Sequence, residues 1–251
     1  MEADGKVPAG ATPSPRLPSP TMNVVLVPGL LCDDAVWAPQ IAALGADGRD
    51  VLVVSSTGSA SISALAAAAL AAVPGPFALA GHSLGGRVAL EMFRQAPERV
   101  ERLALLDTGV HPVGPGEAAS RGALVRLAED DGMAALVERW LLPMLHEAHR
   151  DDDAIVGPLA AMVERNTPAS FAAQQHALLT RPDAGEVLRT IAVPTLVLVG
   201  DADTWSPVEQ HRTIAAAVLG SDLVVVEHCG HVSPVEQPAA VTGALRRWLA
   251  R

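Results

Sequence analysis

The chain has 251 residues, of which 49% are apolar and only 3% aromatic, with no tyrosine. That length fits one large α/β domain or two small ones, with a core built from Ala, Val and Leu. The formal charge is −10 and no block of Lys and Arg appears, which makes nucleic acid and anionic membranes poor partners. Two cysteines, Cys32 and Cys229, are too few for a disulfide framework. The N-terminus has no basic start with an apolar stretch behind it, and no run approaches the ~20 apolar residues that span a bilayer. The expectation is a soluble, cytoplasmic protein; oligomeric state is left open.

Residues 1–21 carry Pro8, Pro13, Pro15, Pro18 and Pro20 among Ala, Ser and Gly. Prolines this dense exclude helix and ladder pairing, so a disordered or extended tail is expected there. Order is expected from Asn23. Six apolar runs follow in chain order: Val24 to Val27, Asp50 to Ser55, Phe77 to Ala80, Arg102 to Leu106, Pro194 to Val199, and Leu223 to Val226. They are continuous rather than alternating, which suits parallel strands buried on both faces.

Helical patterns lie between the runs. Ile62 to Ala72 is alanine-rich, and Leu84 to Gln95 follows the third strand. Val208 to Val218 opens with Ser206, Pro207 and Glu209; Val235 to Leu249 opens with Ser233, Pro234 and Glu236. Both openings predict a capping serine, a proline at the first helical position and a capping glutamate. Alternating strands and helices predict an α/β, doubly wound, mostly parallel sheet of about six strands. Residues 110–190 break the alternation, with helical segments expected near 118–130, 133–142, 155–165 and 168–179. They read as a helical cap over a core made of 22–109 and 191–251. Within the cap, Leu124, Leu127, Met133, Leu136, Val137, Trp140, Leu141 and Met144 recur at helical spacing, which predicts a mainly apolar pocket.

The chemistry concentrates in Gly81-His82-Ser83-Leu84-Gly85, placed between an apolar run and a helical pattern. That is the frame of a nucleophile elbow: a sharp strand-to-helix turn that exposes the serine hydroxyl, with glycines where strand and helix approach. A serine hydroxyl needs a base within hydrogen-bond reach and an acid behind the base. His231 follows the sixth strand and Asp203 the fifth, so the chain order is Ser, Asp, His. Among rivals, His228 is expected to pack at its strand end, His82 lies inside the elbow, Asp201 reads as a turn residue, and Asp107 ends the strand after the elbow. The backbone N–H of Leu84 is a natural donor to an oxyanion.

From about Asn23 to Leu249 the chain resembles the α/β-hydrolase superfamily. The resemblance rests on the elbow, on Gly200-Asp201-Ala202-Asp203 and on Gly230-His231. It implies Ser83, Asp203 and His231 as a triad, Asp107 as the alternative acid, and Leu30 as the second oxyanion donor. Similar enzymes have His-Gly where this chain has Pro28-Gly29. The resemblance also implies a serine hydrolase, carboxylesterase-like, cleaving an ester or thioester of a small to medium substrate through an acyl-enzyme. The sequence offers no metal cluster, and Gly81 to Gly86 lacks the spacing of a dinucleotide fingerprint, so no cofactor and no metal are expected.

Arg87 and Trp205 are candidate substrate-binding residues, and Trp37 and Trp140 candidate pocket walls. A salt bridge is the competing role for Arg87, and packing near the mouth of the site for Cys32 and Cys229. The elbow Gly-His-Ser-Leu-Gly-Gly-Arg is also similar to that of the menaquinone-pathway lyase of this fold. That implies an alternative reaction on an anionic substrate, needing several pocket arginines from among Arg121, Arg126, Arg139, Arg165 and Arg181. Haloalkane dehalogenation would need Asp at position 83. A non-catalytic binding module would be expected to lack a triad member.

Overall fold

The computed structural model describes residues 22–55 and 57–251; the expected tail, 1–21, lies outside them. In chain order the elements are β1 (Asn23–Val27), α1 (Ala38–Ala46), β2 (Val51–Val53), α2 (Ile62–Ala72), β3 (Phe77–His82), α3 (Leu84–Gln95) and β4 (Val100–Leu106). Then come α4 (Glu117–Asp131), α5 (Asp153–Glu164), α6 (Pro168–Leu179) and the short α7 (Gly185–Leu188). The chain finishes with β5 (Thr195–Gly200), α8 (Val208–Ala217), β6 (Asp222–Val226), the single turn α9 (Ser233–Glu236) and α10 (Pro238–Leu249).

The strands pair in parallel in the order β2-β1-β3-β4-β5-β6. Every residue of β3 and β5 is buried, which accounts for their unbroken apolar sequence: helices cover both faces of the sheet. β6 is an edge strand and is only partly buried. The chain leaves β1 toward β2 at one edge and returns to β3 on the other side of β1. This reversal is a switch point, and the loops beyond the C-terminal strand ends there form a crevice. Ser83 follows β3 directly at that crevice.

Between β4 and β5 the described chain is helical or irregular, with no strand. α4, α5 and α6 fall within a residue or two of expectation. The segment expected as one helix over 133–142 does not form one. Gly132, at φ +85°, ends α4; a π-helical stretch Val137–Leu141 follows, then a 3-10 turn Leu142–Met144 containing Pro143, which has no N–H to continue a ladder. The apolar stripe survives this irregularity: Met133, Leu136, Trp140, Leu141 and Met144 are buried. The expected caps at Ser206 and Ser233 are corrected too. α8 begins after Pro207 with no side-chain cap, and the last helix is split before Pro238 into α9 and α10. No helix among the described residues is long and apolar enough to cross a membrane.

Candidate active site

Ser83 has φ +55° and ψ −117°, a sparsely populated conformation that persists only where surroundings enforce it. They do so here through the two glycines. A Cβ on Gly81 would collide with the carbonyl of Gly85, and one on Gly85 with the carbonyls of Val27 and Pro28. β3, α3 and the end of β1 are therefore in backbone contact around the turn. The turn is further pinned by Ser83 N donating to Leu106 O at 2.9 Å and by Thr108 Oγ1 donating to Ser83 O at 2.7 Å.

The loop after β6 places His231 Nε2 2.8 Å from Ser83 Oγ. The opposite ring nitrogen, Nδ1, lies 2.8 Å from Asp203 Oδ2, in the loop after β5. The other oxygen of Asp203 accepts from the backbone N–H groups of Trp205 and Ser206, at 2.8 and 2.9 Å. Burial works against the Asp203 charge, but the His231 charge and these hydrogen bonds outweigh it, and the carboxyl titrates below the ordinary value. Burial likewise works against a charged His231. The charge and hydrogen bond of Asp203, with Asp107 and Glu236 behind them, overcome it and raise the imidazole above its ordinary value.

The rivals sit elsewhere. Asp107 is fully buried, at φ +47°, and its oxygens take Gly200 N and Ser233 Oγ rather than His231. Burial, then the nearby Asp203 charge, pushes its carboxyl well above the carboxylate range. Asp201 accepts from the N–H groups of His228 and Cys229, as a turn residue does. His82 is buried with Nε2 2.8 Å from the carbonyl of His231, and burial lowers it to about 3, so it is neutral. His228 is exposed, contrary to the packed position expected for it, because β6 is an edge strand and the residue turns out at φ +53°.

Ser83, His231, Leu30 and Leu84 line a cavity of about 80 Å³. Trp205 and Trp140 line it as well, and Arg87 and Arg121 supply its basic side. An apolar slot of about 20 Å³ adjoins it, sharing Leu30, Ser83, Trp140, Met144 and His231, and closed by Leu159, Met162 and Val163 of α5. The expected mainly apolar pocket is thus only half the picture. The apolar stripe walls the slot, while the larger lobe mixes polar and apolar lining.

Arg87 donates to the carbonyl of His111 at 3.3 Å, and among the described residues no carboxylate lies within 4 Å of it. The salt bridges go instead to Arg121 and Arg181, which share Glu117. Of the other arginines weighed, Arg165 pairs with Asp33 at the surface, and Arg126 and Arg139 do not line the cavity. Trp37 is fully buried edge-on to His82, 6.3 Å between centroids, and is a packing residue. Cys32 lines the apolar slot; burial pushes its thiol up to about 12, and Cys229 is buried with its thiol raised as well.

Residues 24–244 match the model of the alpha/beta hydrolase family. The chain belongs to that family. As an alpha/beta hydrolase it is 32% identical over 195 residues to a pimeloyl-[acyl-carrier protein] methyl ester esterase of Neisseria meningitidis, covering 74% of each chain. In two other curated relatives the matched stretch spans 61% and 88% of the relative's length. Among solved structures, a thermophilic esterase from Thermogutta terrifontis, solved with malate bound, superposes with a TM-score of 0.81 at 30% identity, covering 91% of this chain and 89% of that one. MenH from S. aureus superposes with a TM-score of 0.82 at 19% identity, covering 93% and 95%, a likeness of fold alone.

Two features of the site were not legible in the sequence. Glu236, expected as a capping residue, is buried behind His231. Gln174 of α6 reaches across 143 positions to accept from Leu31 N at 2.9 Å, holding the loop that carries Leu30. A glutamine in a helix carries no sequence signal for such a role.

Proposed function

We propose that this alpha/beta hydrolase is a serine-dependent enzyme that cleaves a carboxylic ester or thioester of a small to medium substrate through an acyl-enzyme. The observation that carries the reading is the continuous chain Ser83 Oγ, His231 Nε2, His231 Nδ1, Asp203 Oδ2, with both contacts at 2.8 Å. In this reading His231 accepts the Ser83 proton as Oγ attacks the carbonyl carbon, and Asp203 fixes the tautomer and supports the imidazolium. The backbone N–H groups of Leu30 and Leu84 hold the oxyanion. His231 then protonates the leaving alcohol or thiol. A water gives a proton to His231, its oxygen attacks the acyl carbon, and the acid departs as Ser83 recovers its proton. No cofactor enters any step.

The two lobes shape the substrate. The slot closed by α5 has room for one or two carbons, since ~10–15 Å³ accommodates about one water. The larger lobe, with Arg87 on one side and Trp205 at the rim, takes the polar remainder. An ester with one short apolar end fits this arrangement, in keeping with relatives named for methyl ester and other ester hydrolysis.

The menaquinone-type lyase on an anionic substrate stays as the second reading because Arg87 and Arg121 both line the cavity. It is the weaker one. It needs several free arginines, and Arg121 already serves Glu117. A panel of methyl, ethyl and p-nitrophenyl esters, run on wild type and Ser83→Ala, separates the readings. Ser83-dependent turnover of short esters supports the hydrolase. A flat, near-zero profile with binding of a polycarboxylate that Arg87→Ala weakens supports the lyase.

A further inference from the structure

The side chain of Glu236 is fully buried at the start of the C-terminal helical region. Its Oε1 accepts from Val232 N at 3.0 Å, and its Oε2 from Gly230 N at 3.1 Å. These two N–H groups bracket His231. Oε2 also accepts from His146 N at 2.8 Å and lies 3.0 Å from His149 Nδ1. A capping glutamate would need only the N–H at its own helix start. Here half of the donors come from a segment 87–90 positions away, beyond the 3-10 turn that follows the π-helical stretch.

The same segment holds His231 directly. His231 N donates to Met144 O at 2.8 Å, while the His231 carbonyl meets His82 Nε2 at 2.8 Å. A Cβ on Gly230 would collide with the carbonyl of Met144 and the nitrogen of His146. The side chain of Met144, meanwhile, lines both lobes of the cavity. One residue thus presents its side chain to the substrate space and its carbonyl to the backbone of His231.

We infer that Glu236 is a positioning residue for His231, joining the loop that carries it to the segment 144–149, so that the segment lining the substrate cavity also sets where the imidazole stands. The inference rests on the reading of His231 as the base. It predicts that the helical region is a part of the catalytic frame and not only a cover. Pressure of a bound group on Met144 is transmitted to His231 through one hydrogen bond and through Glu236. The carboxylate also acts by its charge. The acidic groups that act on the His231 ring are Asp203, Asp107 and Glu236, and His82 beside it is neutral. Among the described residues, His149 is the titratable side chain within hydrogen-bond reach of Glu236.

The test compares Glu236→Gln and Glu236→Asp with wild type on a short ester. Each variant is checked for a cooperative melt, and the His231 ring is titrated by NMR in the Ser83→Ala background. Glu236→Gln is expected to lower kcat by about 10–100-fold, the usual cost of a catalytic group misplaced by about an ångström, with KM little changed. Because it removes a negative charge near the ring, it should also move the acid limb of kcat/KM, and the NMR titration of His231, to lower pH. Glu236→Asp keeps the charge but withdraws the carboxylate by one methylene. It should lower kcat while leaving the acid limb near the wild-type position. A merely structural lesion would depress activity at every pH without moving the limb. Wild-type kcat and an unmoved titration in folded Glu236→Gln would overturn the inference. If Glu236→Gln does not fold, wild-type kcat in Glu236→Asp would do so. Absence of Ser83-dependent turnover in the wild type would count against the hydrolase reading instead, and the NMR titration still decides the effect of Glu236 on the ring.

Discussion

Ser83, Asp203 and His231, the proposed triad, stand out in the sequence because each lies in the turn or loop after an apolar run, and a parallel sheet brings the C-terminal ends of its strands to one side. Both Asp203 and Asp107 follow a strand in the sequence; the contacts favour Asp203 for the proposed role, since His231 Nδ1 meets Asp203 while Asp107 is engaged by Gly200 and Ser233. Asp203→Asn is therefore expected to lower kcat by about 10³–10⁴-fold, because an amide favours the wrong tautomer. Asp107→Asn should cost far less, and steady-state kinetics of the two variants checks it. The pH dependence follows from the raised His231. The base must be neutral to accept a proton, so kcat/KM should fall as pH drops through its pKa. That limb should lie above the ordinary histidine value of about 6.5, and a pH–rate profile locates it. Glu236 was opaque for an opposite reason: Ser-Pro-x-Glu is an ordinary helix opening, and the local pattern hides the long-range partners.

At the scale of elements, all six strands were legible as apolar runs, with ends that differ from the runs by a residue or two in the buried β3 as in the edge strand β6. The missed geometry lies where proline and glycine break a periodic stretch: the apolar spacing over 133–144 is helical, yet the chain after Gly132 takes a π-helical and then a 3-10 path, the latter containing Pro143. The elbow glycines follow the expectation drawn from the motif. Gly85→Ala should push α3 off β1, destabilising by about 3 kcal/mol or more through overpacking against backbone that has nowhere to move. Urea unfolding of the variant beside wild type checks it. A loss below about 0.5 kcal/mol would mean that the approach of Gly85 to Val27 is looser than described.

For the whole molecule, the helical region is tied together internally by a polar network as well as by apolar contact. Arg181, with its side chain 1% exposed, binds both oxygens of Glu117, the carbonyls of His111 and Pro112, and Leu178 O. Replacing Glu117 with Gln leaves a buried guanidinium without its carboxylate, an expected cost of about 3 kcal/mol at neutral pH. Burial opposes the Glu117 charge, but bonds from Arg181, Gly114 N and Arg121 hold its carboxyl well below the usual range. Such a group stabilises fully above its unfolded pKa, about 4.3, and loses that contribution as pH falls toward its folded value. The gap between wild type and Glu117→Gln should accordingly narrow below about pH 4, as followed by thermal melts.

The proposed function stands or falls with Ser83 as the nucleophile. An aryl fluorophosphonate, which reacts with an activated serine and mimics the attacked acyl group, tests it most directly by intact-mass measurement and peptide mapping. A single adduct is expected, located on Ser83, formed in parallel with loss of ester turnover and absent from Ser83→Ala. An adduct on another residue, or undiminished ester turnover in Ser83→Ala, would contradict it.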